Sequence, residues 1–272
     1  MDMDYLQYLR KDKMPHIWCD GCGNGIILKA IIRAVDKLGW KKDDIALVSG
    51  IGCSGRTPGY VDFNTLHTTH GRALSFSTGI KLAKPNMHLI VVSGDGDATA
   101  IGGNHFIHAA RRNIDLNLIV FNNYIYGMTG GQASPTTPTG KFASTTPYGN
   151  PDSPFHISEL AKAAGASYVA RTTTYHTAKM DRYMQQAFQN KGFSVVEILT
   201  MCPTSYGRAN KETGETGVEM LSFQKENSIS LEKAKEMDEE EIKGKFVTGV
   251  YIDRDKPSYL ENYQEIKDKA NN

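Results

Sequence analysis

The sequence of 272 residues lacks several features that mark specialised protein classes. It contains no run of 18 apolar residues, so no transmembrane helix is expected. Its first residues, MDMDYLQYLRKDK, are too polar and acidic for a signal peptide. A net charge of +1 gives no strong field for nucleic acid or for an acidic membrane. We therefore expect a cytoplasmic protein that binds neither nucleic acid nor a membrane.

Two residue types are scarce in an informative way. Glutamate is absent from residues 1–158, and most of the glutamates lie from Glu212 onward. Cysteine occurs only four times, and nothing marks the chain as secreted, so structural disulfides are not expected. The length nevertheless allows one α/β domain with a sizeable core.

Two short polar motifs follow two apolar runs. Residues 89–93 (LIVVS) precede a GDG motif that contains Asp95, and residues 116–121 (LNLIVF) precede an Asn-Asn pair that ends at Asn123. Residues 99–112, between the two, have the apolar spacing of a helix. The pattern predicts a βαβ crossover, which brings the carboxyl ends of both strands to one edge of a parallel sheet. The oxygens of Asp95 and Asn123 would then suit Mg²⁺.

The four cysteines occur in three motifs. Cys19 and Cys22 form a C-x-x-C, Cys53 lies in G-C-S-G after an apolar stretch, and Cys202 follows a strand-like run. Four thiolates suit either a [4Fe–4S] cluster or a tetrahedral zinc ion, whereas a redox pair would use only Cys19 and Cys22. The cysteines alone do not decide between cluster and zinc.

Together these motifs resemble those of a known family. GDG…NN is similar to the signature of thiamine diphosphate enzymes. The order C-x-x-C, G-C-S-G, GDG…NN and late cysteine resembles the beta subunit of 2-oxoacid:ferredoxin oxidoreductases, above all those that act on 2-oxoglutarate. The resemblance spans about residues 14–210 and includes TGGQ at 129–132. It implies a doubly wound α/β fold, with the mainly parallel sheet of thiamine diphosphate-binding domains.

The resemblance implies three cofactors: thiamine diphosphate, Mg²⁺ and one [4Fe–4S] cluster. Mg²⁺ would be bound by Asp95, Asn123 and the backbone carbonyl of Ile125, and the cluster by all four cysteines. The cofactor-binding residues would be Cys53, Ser54, His70, Gly94, Asp95, Gly96, Asp97, Asn123, Gly127 and Met128.

The resemblance also implies partners. Thiamine requires a carboxylate at its pyrimidine N1′, which in most thiamine enzymes is a glutamate from another domain. Because residues 1–158 contain no glutamate, we expect an alpha subunit to supply it and to complete the active site. Coenzyme A would accept the acyl group and ferredoxin the electrons.

Three further residues are candidates for contact with substrate or cofactor. His70 lies in an HGR motif at the start of a predicted helix over residues 67–82, where it would contact the diphosphate or the thiamine ring, or else cap the helix. Arg56 could bind the far carboxylate of a dicarboxylic 2-oxo acid, or could be a surface arginine. Met128 would form an apolar wall. Arg56 and Met128 favour 2-oxoglutarate.

The chain divides into two predicted regions. Residues 1–206 alternate strands and helices and form the thiamine diphosphate-binding domain with the cluster ligands. Residues 207–272 are a polar C-terminal extension that would contact a partner. Within it, the charged run at 229–242 predicts a solvated helix, and residues 245–252 could form a strand.

The sequence thus predicts the beta subunit of an enzyme that converts 2-oxoglutarate to succinyl-CoA and CO₂ and reduces ferredoxin. Three alternatives stay open: pyruvate or another 2-oxo acid as substrate, a non-redox thiamine decarboxylase or synthase half with structural zinc, and a small iron–sulfur electron-transfer subunit that binds no thiamine.

Overall fold

An eight-stranded sheet forms the centre of the molecule in the computed structural model, which describes residues 3–271. In spatial order its strands are β2 (Asn64–His67), β1 (Ile45–Ser49), β3 (His88–Gly94), β4 (Leu116–Asn122), β8 (Phe193–Leu199), β7 (Tyr168–Thr173), β10 (Phe246–Asp253) and β9 (Ser228–Ser230). All neighbouring strands are parallel except β7 and β10. A separate hairpin consists of β5 (Ile125–Tyr126) and β6 (Gln132–Ala133).

Helices cover both faces of the sheet. They are α1 (Asn24–Leu38), α2 (Ala73–Ala83), α3 (Gly103–Arg111), α4 (Ile157–Ala164), α5 (Thr177–Gln189), α6 (Gly217–Asn227), α7 (Leu231–Ala234), α8 (Glu239–Ile242) and α9 (Tyr259–Asn271). Helices α1 and α5 pack together on one face, and α3 packs against α2 and α4 on the other. None of the helices within residues 3–271 is both long enough and apolar enough to cross a membrane.

Alternate side chains of the central strands enter two separate cores. On β3, Ile90 and Val92 pack with α1 and α5, whereas Leu89 and Val91 pack with the helices of the other face. Strands buried on both faces have continuous apolar runs rather than alternating ones, which explains LIVVS at residues 89–93. The predicted doubly wound α/β fold with a mainly parallel sheet is confirmed.

Two predicted helices differ from the structure. The helix expected over residues 67–82 begins only at Ala73, because His67 closes β2 and Gly71, at φ +69°, turns the chain before the helix. The single solvated helix expected over residues 229–242 is wrong. Ser230 and Asp238 each accept a capping hydrogen bond and start two short helices, which divide the charged run.

The C-terminal segment extends the sheet. Strand β10 pairs antiparallel with β7 and carries β9 on its outer side. The predicted strand at residues 245–252 therefore exists as β10, one residue further along the chain.

Candidate functional site

The site lies where the strand order changes direction. From β1 the chain continues to β2 on one side, and it then crosses to β3 on the other side of β1. The loops after β1 and β3 therefore diverge and leave a crevice, the usual ligand site of open parallel sheets. A cavity of about 110 Å³ lies there. We call it the Asp95 cavity, and its walls include Asp95, Asn123 and Ile125, so the crossover brings together the three predicted Mg²⁺ ligands.

Asp95 is a buried carboxylate with two hydroxyl donors. Its side chain is 2% exposed, and its Oδ2 atom accepts hydrogen bonds of 2.5 Å each from Ser134 Oγ and Thr136 Oγ1. Burial disfavours the charged form and raises the pKa of Asp95 to about 6. A divalent cation would stabilise this buried charge. Ser134 and Thr136 were not predicted from the sequence, because they belong to a loop about 40 positions away.

The backbone after β4 turns sharply between the other two candidate ligands. Tyr124 has φ +64°, in the left-handed region, and lies between Asn123 and Ile125. The Asn123 Oδ1 atom accepts a hydrogen bond of 3.3 Å from the Ile125 amide. A carboxylate, an amide oxygen and a backbone carbonyl form the donor set that Mg²⁺ prefers. The residues at this site therefore fit the ion.

Asp97 fixes the orientation of His70. Its buried Oδ1 atom accepts from the Gly71 amide at 2.7 Å and lies 2.5 Å from His70 Nδ1. With the proton on Nδ1 engaged by a carboxylate, Nε2 is the ring nitrogen free for other contacts, and His70 lines the Asp95 cavity. A Cβ atom on Gly50 would lie 1.9 Å from Asp97 Oδ2, so the residue after β1 must be glycine.

The second glycine of GDG makes room for an aromatic ring. A Cβ atom on Gly96 would lie 2.3 Å from the ring of Tyr126, whose hydroxyl group donates to the Gly96 carbonyl at 3.3 Å. Tyr126 also forms part of the cavity wall.

All four cysteines surround a second cavity, of about 260 Å³. We call it the cysteine cavity; its walls include Cys19, Cys22, Cys53 and Cys202. All four thiols are free. Burial above all, together with the neighbouring cysteines, raises the pKa of Cys22 to about 12 and that of Cys53 to about 11.

The spacing of these cysteines bears on which metal they could hold. Within residues 3–271, no three His, Cys, Asp or Glu side chains are close enough to hold one metal ion. A tetrahedral zinc site needs four ligands around a single ion. An iron–sulfur cluster instead carries each thiolate on a different iron, which suits cysteines arranged around a cavity. Four cysteine thiols around one cavity are the donor set that such a cluster takes.

The two cavities share one wall. Cys53, Asn123, Gly127 and Met128 line both of them. The wall is thin because Gly127 has no side chain: a Cβ atom there would lie 3.3 Å from Sγ of Cys202 and 3.9 Å from Sγ of Cys53. A group bound in either cavity would therefore lie next to a group bound in the other.

The remaining candidates are distributed between these cavities. Ser54, which is 4% exposed, lines the Asp95 cavity. Arg56 instead lines the cysteine cavity and a surface groove beside Arg10. Met128 is 43% exposed and lines both cavities.

No glutamate of the described chain, residues 3–271, belongs to the lining of the Asp95 cavity. Glu197 lies on β8 behind that cavity and is bonded to Asn122 instead. The described residues of this chain therefore lack a glutamate that could face a ring bound in the cavity.

Comparison with known proteins gives a consistent result. Residues 50–198 match the family described as thiamine pyrophosphate enzyme, C-terminal TPP binding domain. The 2-oxoglutarate synthase subunit KorB of Methanocaldococcus jannaschii is 52% identical over 97% of both chains. A 2-oxoacid:ferredoxin oxidoreductase subunit beta of Saccharolobus solfataricus is 41% identical over 82% of this chain and 73% of its own.

A solved structure also resembles the chain closely. It is a 2-oxoglutarate:ferredoxin oxidoreductase from Magnetococcus marinus with 2-oxoglutarate, coenzyme A and succinyl-CoA bound. The superposition has a TM-score of 0.87 at 32% identity and covers 99% of this chain and 91% of the other.

Proposed function

This chain belongs to the beta-subunit family of the 2-oxoacid:ferredoxin oxidoreductases, which are thiamine pyrophosphate enzymes, and from that membership we propose its reaction. It is the beta subunit of a 2-oxoglutarate:ferredoxin oxidoreductase. The enzyme converts 2-oxoglutarate and coenzyme A to succinyl-CoA and CO₂ and passes two electrons to ferredoxin. The same chemistry in reverse is a reductive carboxylation.

One observation supports a redox enzyme over a simple decarboxylase. The Asp95 cavity and the cysteine cavity share a wall of four residues, which include Cys53 and Gly127. We propose that Cys19, Cys22, Cys53 and Cys202 hold a [4Fe–4S] cluster on one side of this wall. A cluster there would supply an electron acceptor on the other side of the shared wall from the Asp95 cavity.

In the Asp95 cavity the chain's own residues have separable roles. Asp95, Asn123 and the Ile125 carbonyl would hold Mg²⁺, which in turn would hold the diphosphate. Thiamine diphosphate supplies, when bound, the reactive carbon and the electron sink that decarboxylation of a 2-oxo acid needs. His70, fixed by Asp97 at 2.5 Å, would hold or release a proton at Nε2. Buried walls such as Ser54 and Ile125 exclude water.

Arg56 and Met128 remain the proposed determinants of substrate choice. Arg56 lies on the cysteine-cavity side of the shared wall, and Met128 lies on the wall itself. Because the proposed cluster would fill the cysteine cavity, the far carboxylate of a dicarboxylate would have to meet the Arg56 guanidinium on the side of the surface groove beside Arg10. A shorter 2-oxo acid such as pyruvate would leave Arg56 without a partner.

The partner subunit is part of the proposal. The glutamate-free lining of the Asp95 cavity, within the described chain, supports an alpha subunit that supplies the N1′ carboxylate. Residues 207–272 would contact that subunit. Their last helix, α9, has no buried residue among those described and exposes Tyr263 and Ile266.

Anaerobic purification with the neighbouring subunit tests the proposal. We expect four irons and one thiamine per αβ pair, together with 2-oxoglutarate- and CoA-dependent reduction of ferredoxin. Thiamine with zinc and no iron would instead support the non-redox decarboxylase. Iron without thiamine would support an electron-transfer subunit.

A further inference from the structure

A buried hydrogen-bond network connects the centre of the sheet to the candidate magnesium ligands. Its innermost member is Glu197, which lies on β8 and is 1% exposed. Its Oε1 atom accepts from Asn122 Nδ2 at 2.8 Å, and Oε2 accepts from Ser158 Oγ at 2.7 Å. Arg171 on the neighbouring β7 pairs with Oε2 at 3.4 Å. A carboxylate buried in an apolar strand is costly unless such partners stabilise it.

Glu197 determines which way the Asn122 amide points. A carboxylate only accepts hydrogen bonds, so the amide must present Nδ2 to Glu197 and Oδ1 to the opposite side. There Oδ1 accepts from the Tyr124 amide at 3.2 Å and lies 3.0 Å from Thr136 Oγ1, whose single hydroxyl proton is shared with the shorter contact to Asp95. A reversed amide would place two N–H groups against the Tyr124 N–H and would lose that contact.

Both contacts of Asn122 Oδ1 lead to candidate magnesium ligands. Thr136 Oγ1 also lies 2.5 Å from Oδ2 of Asp95. Tyr124, which Asn122 holds in its left-handed conformation, joins Asn123 to Ile125. The orientation of the Asn122 amide thus bears on Thr136, which contacts the candidate ligand Asp95. It also bears on Tyr124, which joins the other two candidate ligands.

We infer that Glu197 is a positioning residue for the magnesium site, acting through Asn122 on all three of its ligands. The inference rests on the proposed function, because it concerns the magnesium that the reaction needs. Groups that orient metal ligands from behind typically change metal affinity by about 10- to 100-fold when they are replaced.

Two variants interrupt this hydrogen-bond network at different residues. Glu197→Gln keeps the shape of the side chain but replaces one acceptor oxygen by an NH2 group, so the residue no longer presents only acceptors to Asn122 and Ser158. Asn122→Ala removes the amide and leaves the pair of Glu197 with Arg171 in place. The matched control is Asn117→Ala, on the same strand β4, since Asn117 is also buried but donates only to the Leu89 carbonyl at 3.2 Å.

The measurement is calorimetric binding of thiamine diphosphate to the co-purified αβ complex at increasing Mg²⁺. We expect the half-saturating Mg²⁺ concentration to rise about 10-fold or more in Glu197→Gln and Asn122→Ala. At saturating Mg²⁺, kcat should return towards the wild-type value. Asn117→Ala should lower the melting temperature and leave the Mg²⁺ requirement unchanged.

Wild-type Mg²⁺ requirements in both Glu197→Gln and Asn122→Ala would overturn the inference and leave the proposed function intact. An equal rise in Asn117→Ala would also overturn it, because the effect would then be general destabilisation. If the wild-type complex bound thiamine diphosphate without any metal, the proposed magnesium site itself would fail.

Discussion

The Nδ1 atom of His70 lies 2.5 Å from the buried Oδ1 atom of Asp97, and both residues line the Asp95 cavity. The carboxylate therefore selects the tautomer of His70 and leaves Nε2 free for other contacts. Asp97 also accepts hydrogen bonds from the amides of Ile51 and Gly71. One carboxylate thus joins the loop after β1 to the turn that carries the histidine.

Replacement of Asp97 by Asn should lower kcat while Mg²⁺-dependent thiamine binding stays intact. The amide keeps the size of the carboxylate but no longer enforces the tautomer, and misplaced acid–base groups cost about 10²- to 10⁴-fold in rate. Steady-state kinetics on the αβ complex measures the effect. The control is Ser75→Ala, which removes the 2.8 Å contact to His105 on an exposed surface. Wild-type kcat in Asp97→Asn would contradict this role.

Asp95→Asn should abolish Mg²⁺-dependent thiamine binding. The substitution removes the only charged ligand proposed for the ion, so affinity should fall by about 100-fold or more. Removal of Mg²⁺ from the wild-type complex with a chelator should have the same effect. Calorimetry is the measurement, with the exposed Asp43→Asn as control. Unchanged thiamine affinity in Asp95→Asn would reject the assignment.

Cys202→Ser should reduce the iron content per chain. All four cysteines line one cavity, and a cluster held by three thiolates is weaker and more exposed. Iron and sulfide analysis of anaerobically purified protein, together with the visible absorption of the cluster, measures the loss. Ser205→Ala alters the same cavity wall without removing a thiolate and should keep its iron. Four irons retained in Cys202→Ser would show that Cys202 is not a ligand.

The chain purified alone should not form succinyl-CoA. No glutamate of residues 3–271 lines the Asp95 cavity, so the carboxylate that activates the thiamine ring is missing. Addition of the alpha subunit should restore turnover, and an alpha subunit whose N1′ glutamate is replaced by glutamine should not. Robust acyl-CoA production by the isolated chain would disprove that the active site is shared between the two subunits.

Arg56→Met should change substrate preference. A guanidinium that pairs with a carboxylate contributes about 1.5–3 kcal/mol, so kcat/KM for 2-oxoglutarate should fall by about 10- to 100-fold. The value for pyruvate should change little, because pyruvate has no second carboxylate. Arg10→Met is the matched control, since Arg10 lines the neighbouring groove and donates to Thr65 Oγ1 at 3.0 Å. Equal losses for both substrates would argue against recognition of the far carboxylate.

Local sequence signals predict part of the molecule well. The apolar runs before Asp95 and Asn123 form adjacent parallel strands, and the chirality of the crossover brings both residues to one cavity. The C-x-x-C, G-C-S-G and late cysteine motifs likewise meet at one cavity. Strand polarity and chain order determine where strand ends lie, so the placement of these residues follows from the sequence, whereas their roles stay predictions.

Other parts of the site depend on contacts that no local pattern reports. Thr136 and Glu197 bond to residues 14 and 75 positions away, and neither lies in a recognisable motif. The start of α2 was misplaced because the apolar spacing continues through His67, whereas pairing with β1 holds that residue in a strand. The tertiary fold overrides local preference at both places.

The wall of Cys53, Asn123, Gly127 and Met128 has an evolutionary consequence. Each of these residues faces two cavities, so a substitution that adapts one cavity also reshapes its neighbour. A substitution of Cys53 in a descendant of this chain would change the lining of the proposed cluster site and of the proposed thiamine pocket together. The two proposed sites would therefore be inherited as one unit.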